Sequence, residues 1–214
     1  MLLNTAKRIV GDAFFVAKTY KLQGINGKNA INFIIYYLEK WKAFMIDWSE
    51  HDMRVSRTEL KKAHERLQAL SIPLASLSKK QLKNLPASDY FMAELMALAD
   101  ITSANARNRQ TKRVGKLISE ENRHELVKAL FDAFFPKEQV SKIESWFERL
   151  NINDEGTLKQ FVKQYKASER NSMYQLLLWI EYAKHMQDDE LMAESKEDLA
   201  SYIREVAILS QLKM

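Results

Sequence analysis

Apolar positions along this chain recur every three or four residues and almost never alternate, so the pattern predicts helices and no strand of useful length. The clearest start lies at Ser56-Arg57-Thr58-Glu59, a capping box in which the Ser oxygen and the Glu carboxylate each take an orphan amide. Val55 and Leu60 occupy the staple positions around it. This helix is expected to end near Leu70, because Pro73 disfavours helical geometry just before it. Ser78-Lys79-Lys80-Gln81 caps a short helix that ends before Pro86. A long helix then starts at Ser88 or Asp89, with Phe91, Met92, Leu95, Met96 and Ala99 on its apolar face, and is expected to run unbroken to about Leu117. The two longer helices flanking that connection are expected to pair antiparallel.

Further along, Ser119-Glu120-Glu121 reads as the start of a helix through Phe134. Pro136 suits the first turn of the next, which carries Val140, Ile143, Trp146, Phe147 and Leu150. Asn153-Asp154-Glu155-Gly156 reads as a turn, and Leu158–Tyr165 and Met173–Met186 as helices. Ser195 is expected to cap a last helix with Leu199, Tyr202, Ile203, Val206 and Leu209 facing inward. Near the start of the chain, Ile31–Trp48 places Phe33, Tyr37, Trp41 and Phe44 at helical spacing and reads as a docking helix on the main body rather than a membrane-surface helix. No internal repeat or low-complexity tract is present.

Composition supports the same class. The 214 residues include 5 Gly and 3 Pro, few for the many turns of an all-β fold. The absence of Cys excludes disulfides, thiol nucleophiles and Cys-ligated metals. The start of the chain has charges inside any h-region, and Ile31–Leu38, the most apolar stretch, is far short of the ~18 residues a membrane span needs. The expectation is a soluble, cytoplasmic, monomeric all-α protein with no membrane partner.

Charge divides the chain. Residues 1–52 carry 7 Lys/Arg against 5 Asp/Glu, residues 53–118 carry 13 against 5, and residues 119–214 carry 13 against 18. This suggests an atypical N-terminal segment (1–52), a basic helical subdomain (53–118) and an acidic C-terminal helical subdomain (119–214). The densest cations are Arg107, Arg109, Lys112, Arg113 and Lys116, in a run without an acid. At about 100° per residue, Arg109, Lys112, Arg113 and Lys116 share one arc of a helix, while Arg107 lies off it. Such a row suits a polyanion, and Arg in particular suits phosphate because its planar fork donates in pairs. A solvated basic face is the plainer alternative. Gly115, inside this run, reads equally as a helix-end signal or as a point of close backbone approach to a ligand.

Catalytic constellations are missing by the same reading. His51, His64, His124 and His185 form no H-E-x-x-H pair. Gly24-Ile25-Asn26-Gly27-Lys28 lacks P-loop spacing, and no nucleophile elbow occurs. Asp188, Asp189, Glu190, Glu194, Glu197 and Asp198 lack the pattern of a calcium loop and read as a solvated acidic turn at a helix N-terminus. No cofactor, metal or enzymatic activity is expected.

Three blocks carry a resemblance: Val55-Ser56-Arg57-Thr58-Glu59-Leu60-Lys61-Lys62; the leucines 67, 70, 74, 77, 82 and 85 with Pro86; and Arg107-Asn108-Arg109-Gln110 with Val114-Gly115-Lys116-Leu117. Together with the tail Lys196–Val206 they are similar to the dual-action ribosome maturation protein family, over roughly residues 53–212. The resemblance implies an all-α protein of two helical subdomains, with long antiparallel basic helices and a C-terminal helical bundle. It implies a non-catalytic factor that binds ribosomal RNA of large (50S) subunit precursors late in assembly and favours correct RNA folding, with ribosomal proteins or other assembly factors as further partners. By motif it carries Arg107, Arg109, Gln110, Gly115 and Lys116, and Ser56, Arg57, Glu59, Lys61 and Lys62. Lys112 and Arg113 are this chain's own additions to the cation row. The expected RNA-binding set is Arg107, Arg109, Gln110, Lys112, Arg113, Lys116, Arg57, Lys61 and Lys62. The acidic half is expected not to follow the RNA closely. Relatives begin with a short acidic tail, so residues 1–44 read as a misassigned start or a lineage-specific extension. A helical protein–protein adaptor without RNA binding, using Tyr165, Tyr174, Trp179 and Tyr182, is the rival reading, although those residues suit a core better. A DNA-binding regulator is a third, opposed by the long connection through Pro73 and Pro86.

Overall fold

Leucines 67, 70 and 74 fall at i, i+3 and i+7, and all three are buried along one side of the first helix in the computed structural model. The structure describes residues 57–212. Ser56 and the Ile31–Trp48 segment therefore lie outside the described residues, as do residues 1–44.

Among the described residues the elements are α1 (Arg57–Ala75), α2 (Lys79–Leu82), α3 (Asp89–Asp100), α4 (Ala104–Ile118), α5 (Arg123–Phe134), α6 (Lys137–Glu144), α7 (Trp146–Arg149), α8 (Glu155–Gln164), α9 (Arg170–Met186) and α10 (Asp189–Leu212). None of these residues forms a strand. The fold is all-α and multihelical, as expected, and residues 57–212 fall within one compact unit, Met53–Met214.

Several boundaries differ from the pattern's forecast, each for a local reason. The first helix runs through Pro73 to Ala75 instead of ending at Leu70. Pro73 sits in the last turn, where it removes a single N–H bond, and burial of Leu70, Pro73 and Leu74 offsets that loss. Ser78 and Gln81 form the forecast capping box of α2. Asn122, not Ser119, caps α5 through the Glu125 amide, while the Ser119 hydroxyl turns back to the Lys116 carbonyl. The forecast turn is present at Ile152-Asn153, closed by the Asp154 amide on the Asn151 carbonyl at 3.1 Å, and Asp154 then caps α8, so Glu155 and Gly156 already belong to a helix. The helix after Pro136 divides at Ser145 into α6 and α7, with Pro136 at the N-cap. The last helix begins at Asp189, capped by the Asp188 carboxylate on the Leu191 amide at 2.9 Å, and Ser195 is buried within it.

The largest revision concerns the long basic helix. It is two helices, broken at Ile101-Thr102-Ser103. The Gln110 amide donates to the Glu94 carbonyl at 2.9 Å and to its carboxylate at 2.7 Å, and Arg113 reaches Tyr90. Residue numbers rise on one helix as they fall on the other, so α3 and α4 form an antiparallel hairpin. Phe91, Leu95 and Leu98 fill its inner face, whereas Met96 and Ala99, forecast on that face, are exposed. The expected antiparallel pairing holds for α1 with α4 alone, where Gln68 lies against Gly115 and the Ser71 hydroxyl donates to the Thr111 carbonyl at 3.3 Å, while α3, antiparallel to α4, runs in the same sense as α1. Gly115 is not at the helix end. A Cβ there would lie 2.7 Å from the Gln68 Cα, so the glycine serves close packing of α4 on α1 rather than approach to a ligand.

At the centre of the remainder stands α10, packed by α9, α5, α1 and α6. Its stretch from Leu199 to Ser210 is buried nearly all round, as a helix enclosed by others must be. Trp146, Phe161 and Tyr165 form an aromatic cluster beside it, with Phe161 and Tyr165 ring centroids 4.8 Å apart. Of the residues proposed for an adaptor surface, Tyr165 is buried, Trp179 and Tyr182 are half-buried edge to face, and Tyr174 alone of the four is exposed.

Candidate nucleic-acid interface

Helix α4 buries Val114, Gly115 and Ile118 and turns Arg109, Lys112, Arg113 and Lys116 outward. At about 100° per residue the centre of the cation arc falls opposite the centre of the buried stripe. The orientation therefore follows from the helix period: once Val114 and Ile118 enter the core, the four cations have no choice but solvent. Arg107, in the first turn, lies toward the buried side by angle, yet it is exposed because α1 ends at that level. From Arg107 to Lys116 the row spans roughly 14 Å along the axis.

The cations differ in what holds them. Among the described residues, Arg107, Arg109 and Lys112 make no ion pair. Lys116 pairs with Glu120 at 3.4 Å while its side chain stays 77% exposed. Arg113 donates to the Tyr90 hydroxyl at 2.6 Å and pairs with Glu94 at 2.8 Å. Tyr90 itself is 54% exposed, so a ring face stands beside the cation row. Gln110 is spent on Glu94 and fixes the hairpin.

The α1 residues occupy a different place. Arg57 and Lys61 are exposed, and Lys61 lies 3.7 Å from Glu65. The α1–α4 register sets Lys61 beyond the C-terminal end of α4, roughly 9 Å past Lys116 along the axis. Lys62 turns inward to Glu59 at 3.0 Å and Glu169 at 3.5 Å. The structure thus brings four α4 cations onto one face, sets Arg107 at one end of it and Arg57 and Lys61 past the other, and gives Gln110 and Lys62 intramolecular partners.

Lys62 belongs to a polar assembly that joins the basic helices to the acidic half. Glu205 of α10 is fully buried. Its carboxylate accepts two bonds from Arg123, at 3.0 and 2.8 Å, and lies 3.5 Å from Arg66 Nε. Arg66 also stacks over Tyr202, 4.9 Å from the ring centroid. Burial pushes the Tyr202 phenol up to about 12, while its hydroxyl exchanges hydrogen bonds with the Glu169 backbone. Burial works to raise the Glu59 carboxyl, but bonds from Ser172 and Lys62 and the charges of Lys62 and Arg66 outweigh it and hold it below its ordinary value. Burial likewise opposes the Arg123 charge, and Glu205 more than compensates. His124 sits at its margin, 2.7 Å from Ser201 and 3.7 Å from Asp198. Sequence reasoning missed this assembly. The available signal was Glu205 itself, a carboxylate beside the inward positions Tyr202, Val206 and Leu209.

Among the described residues no cluster of three or more His, Asp or Glu could hold a metal, and no helix is long and apolar enough to cross a membrane.

A family model described as "Dual-action ribosomal maturation protein DarP" matches residues 53–204. Relatives bearing that same description include a protein of Methylobacillus flagellatus, 26% identical over 134 residues, or 60% of this chain and 74% of the relative. Another, from Edwardsiella ictaluri, is 26% identical over 166 residues, covering 72% of this chain and 83% of the relative. A third, from Nitrosomonas eutropha, is 28% identical over 141 residues, covering 64% and 79%. No solved structure matches significantly. The matched stretch contains the whole α4 cation row and the Arg66–Glu205 assembly except Glu205 itself, and the chain belongs to the dual-action ribosomal maturation protein DarP family.

Proposed function

We propose that this chain is a non-catalytic ribosome maturation factor that binds ribosomal RNA of the large (50S) subunit during late assembly and favours its correct folding. The observation that carries the reading is the α4 face: four cations set opposite a buried stripe, three of the run's five without an ion pair among the described residues. Cations left unpaired by their own protein are available to phosphates, and releasing the counterions around those phosphates supplies the affinity. The family's description as ribosomal maturation proteins supports ribosomal RNA as that polyanion. Side chains cannot easily enter the deep, narrow major groove of an A-form helix, so backbone shape and 2′-hydroxyls carry recognition. Tyr90 adds a ring face on which an unpaired base can stack. Arg107, Arg109, Lys112, Arg113 and Lys116 form the principal contact surface, Arg57 and Lys61 extend it, and Gln110 and Lys62 position the helices. Binding energy favours the RNA conformation that fits this surface, with no chemical step.

The test is sedimentation of the tagged protein through a sucrose gradient. Co-migration with free large subunits and their precursors, and not with assembled ribosomes, supports the reading. Association that survives nuclease treatment of every RNA present refutes it and favours a protein adaptor.

A further inference from the structure

The C-terminal half is acidic as a whole, yet residues 158–168 contain three lysines and no Asp or Glu. The structure gathers them. Lys159 and Lys163 on α8, Lys166 in the following turn and Arg170 at the start of α9 line a surface groove of about 460 Å³ over Leu158 and Val162. Lys159 and Lys163, four residues apart on α8, share one side of that helix about 6 Å apart along its axis, and the turn after α8 brings Lys166 and Arg170 to the same groove.

The nearby acids do not neutralise this wall. Glu155 is shared between Lys159 at 3.3 Å and Arg170 at 2.8 Å. Glu169 turns away to Lys62 and Arg66 on α1. Lys163 and Lys166 have no ion pair among the described residues, and both are exposed. Part of the feature has a local explanation: Lys163, at the C-terminal end of α8, favours the helix dipole. That does not account for Lys166 and Arg170, which lie beyond α8 on the same groove.

We propose that this groove is a second RNA-binding surface, taking backbone phosphates on its cations and the edge of a sugar or base on the half-buried Val162. The inference rests on the RNA-binding reading of α4 and extends it to the half of the molecule whose net charge argues against RNA. Three of its four cations are lysines, point charges that neutralise phosphates without the fork geometry that reads guanine, so the surface anchors RNA without selecting sequence.

The experiment compares the full chain with Lys163→Gln/Lys166→Gln and Arg109→Gln/Lys112→Gln/Arg113→Gln/Lys116→Gln variants. Binding to large-subunit precursor particles and to isolated large-subunit ribosomal RNA is measured at several salt concentrations. Loss of the two lysines is expected to weaken binding about tenfold and to make the log–log salt slope shallower by about 1.4, two contacts at 0.7 each. Lys163→Arg/Lys166→Arg should restore both. Unchanged binding of the Lys163/Lys166 variant beside a weakened α4 variant overturns the second surface and leaves the α4 reading intact. Unchanged binding of both overturns both. A photo-crosslinker at position 163 should attach to RNA; attachment to a ribosomal protein alone overturns the proposal in favour of a protein partner.

Discussion

The outer face of α4 and the buried assembly around Glu205 are built from the same residue types and do opposite things. On α4, Arg107, Arg109 and Lys112 have no ion pair among the described residues and stand in water. Around Glu205, Arg66 and Arg123 are drawn inward, bonded to a carboxylate whose side chain is 1% exposed. The difference lies in whether an acid reaches the cation from another helix. Where it does, arginine fastens α1 and α5 to α10. Where it does not, arginine remains available to a foreign anion. Arg113 is intermediate, with Glu94 and Tyr90 holding it at the edge of the exposed face. A count of positive charge along the chain cannot separate these uses.

The largest effect that tests the contrast is removal of Glu205. Glu205→Ala removes the buried carboxylate that both arginines share and leaves Arg66 with Glu169 at 3.9 Å and Arg123 with Asp198 at 3.7 Å. It is expected to cost about 3 kcal/mol of stability, the lower end for breaking a buried pair, because these longer contacts replace only part of the lost compensation. Denaturant unfolding followed by circular dichroism measures this. A loss below about 1 kcal/mol would mean that water reaches the arginines and that the fastening role is wrong. The α4 variant Arg109→Gln/Lys112→Gln/Arg113→Gln/Lys116→Gln should behave in the opposite sense. Its unfolding free energy should change by less than about 1 kcal/mol, since exposed cations contribute little to stability. Its affinity for precursor large subunits should fall more than about tenfold, with a salt slope shallower by about 3. A matching loss of stability would break the distinction between the two regions.

Between these extremes lies Gly115, where the cation helix is seated on α1. Gly115→Ala brings a methyl to 2.7 Å from the Gln68 Cα and 3.0 Å from its backbone nitrogen. Backbone yields less readily than a side chain, so overpacking is expected to cost about 1–3 kcal/mol. Binding of RNA by the fraction that remains folded should weaken as well, because α4 shifts against α1. Thermal unfolding and binding measured on the same preparation separate the two effects.

The cation row was legible because it needs only local periodicity: Val114 and Ile118 define one side of α4, and the opposite side follows. The inward residues of α10 were legible for the same reason, whereas Leu74 of α1 lay past the forecast helix end at Leu70. The break between α3 and α4 was not, since Asp100–Ser103 contains neither Gly nor Pro. The corner is stabilised by Gln110 reaching Glu94, 16 residues away, and local propensity carries no trace of that contact. The Glu205 assembly was hidden more deeply. Arg123 and Arg66 lie 82 and 139 residues from their carboxylate, so only the tertiary fold distinguishes them from the cations of α4. The same limit applies to Lys62 and Gln110, whose bonds to Glu169 and Glu94 only the tertiary fold reveals.

The smallest effect concerns pH and again divides the two regions. The Glu59 carboxyl is held below its ordinary value, since burial is outweighed by Ser172, Lys62 and Arg66. A carboxylate with a depressed folded pKa binds protons more readily in the unfolded chain. Its contribution is therefore fully present above the unfolded value, near 4.5, and is lost as pH falls through the lower folded value. Glu59→Gln should cost about 1 kcal/mol at neutral pH, the worth of its hydrogen bonds. Below the folded pKa the variant and the parent should converge, because protonation removes from the parent what the substitution removes from the variant. The α4 variant replaces no carboxylate and should show no such convergence. Stability curves from pH 7 to pH 3 for the parent and both variants make the comparison. A Glu59→Gln deficit that persists unchanged at pH 3 would place its origin in packing and remove Glu59 from the charged assembly.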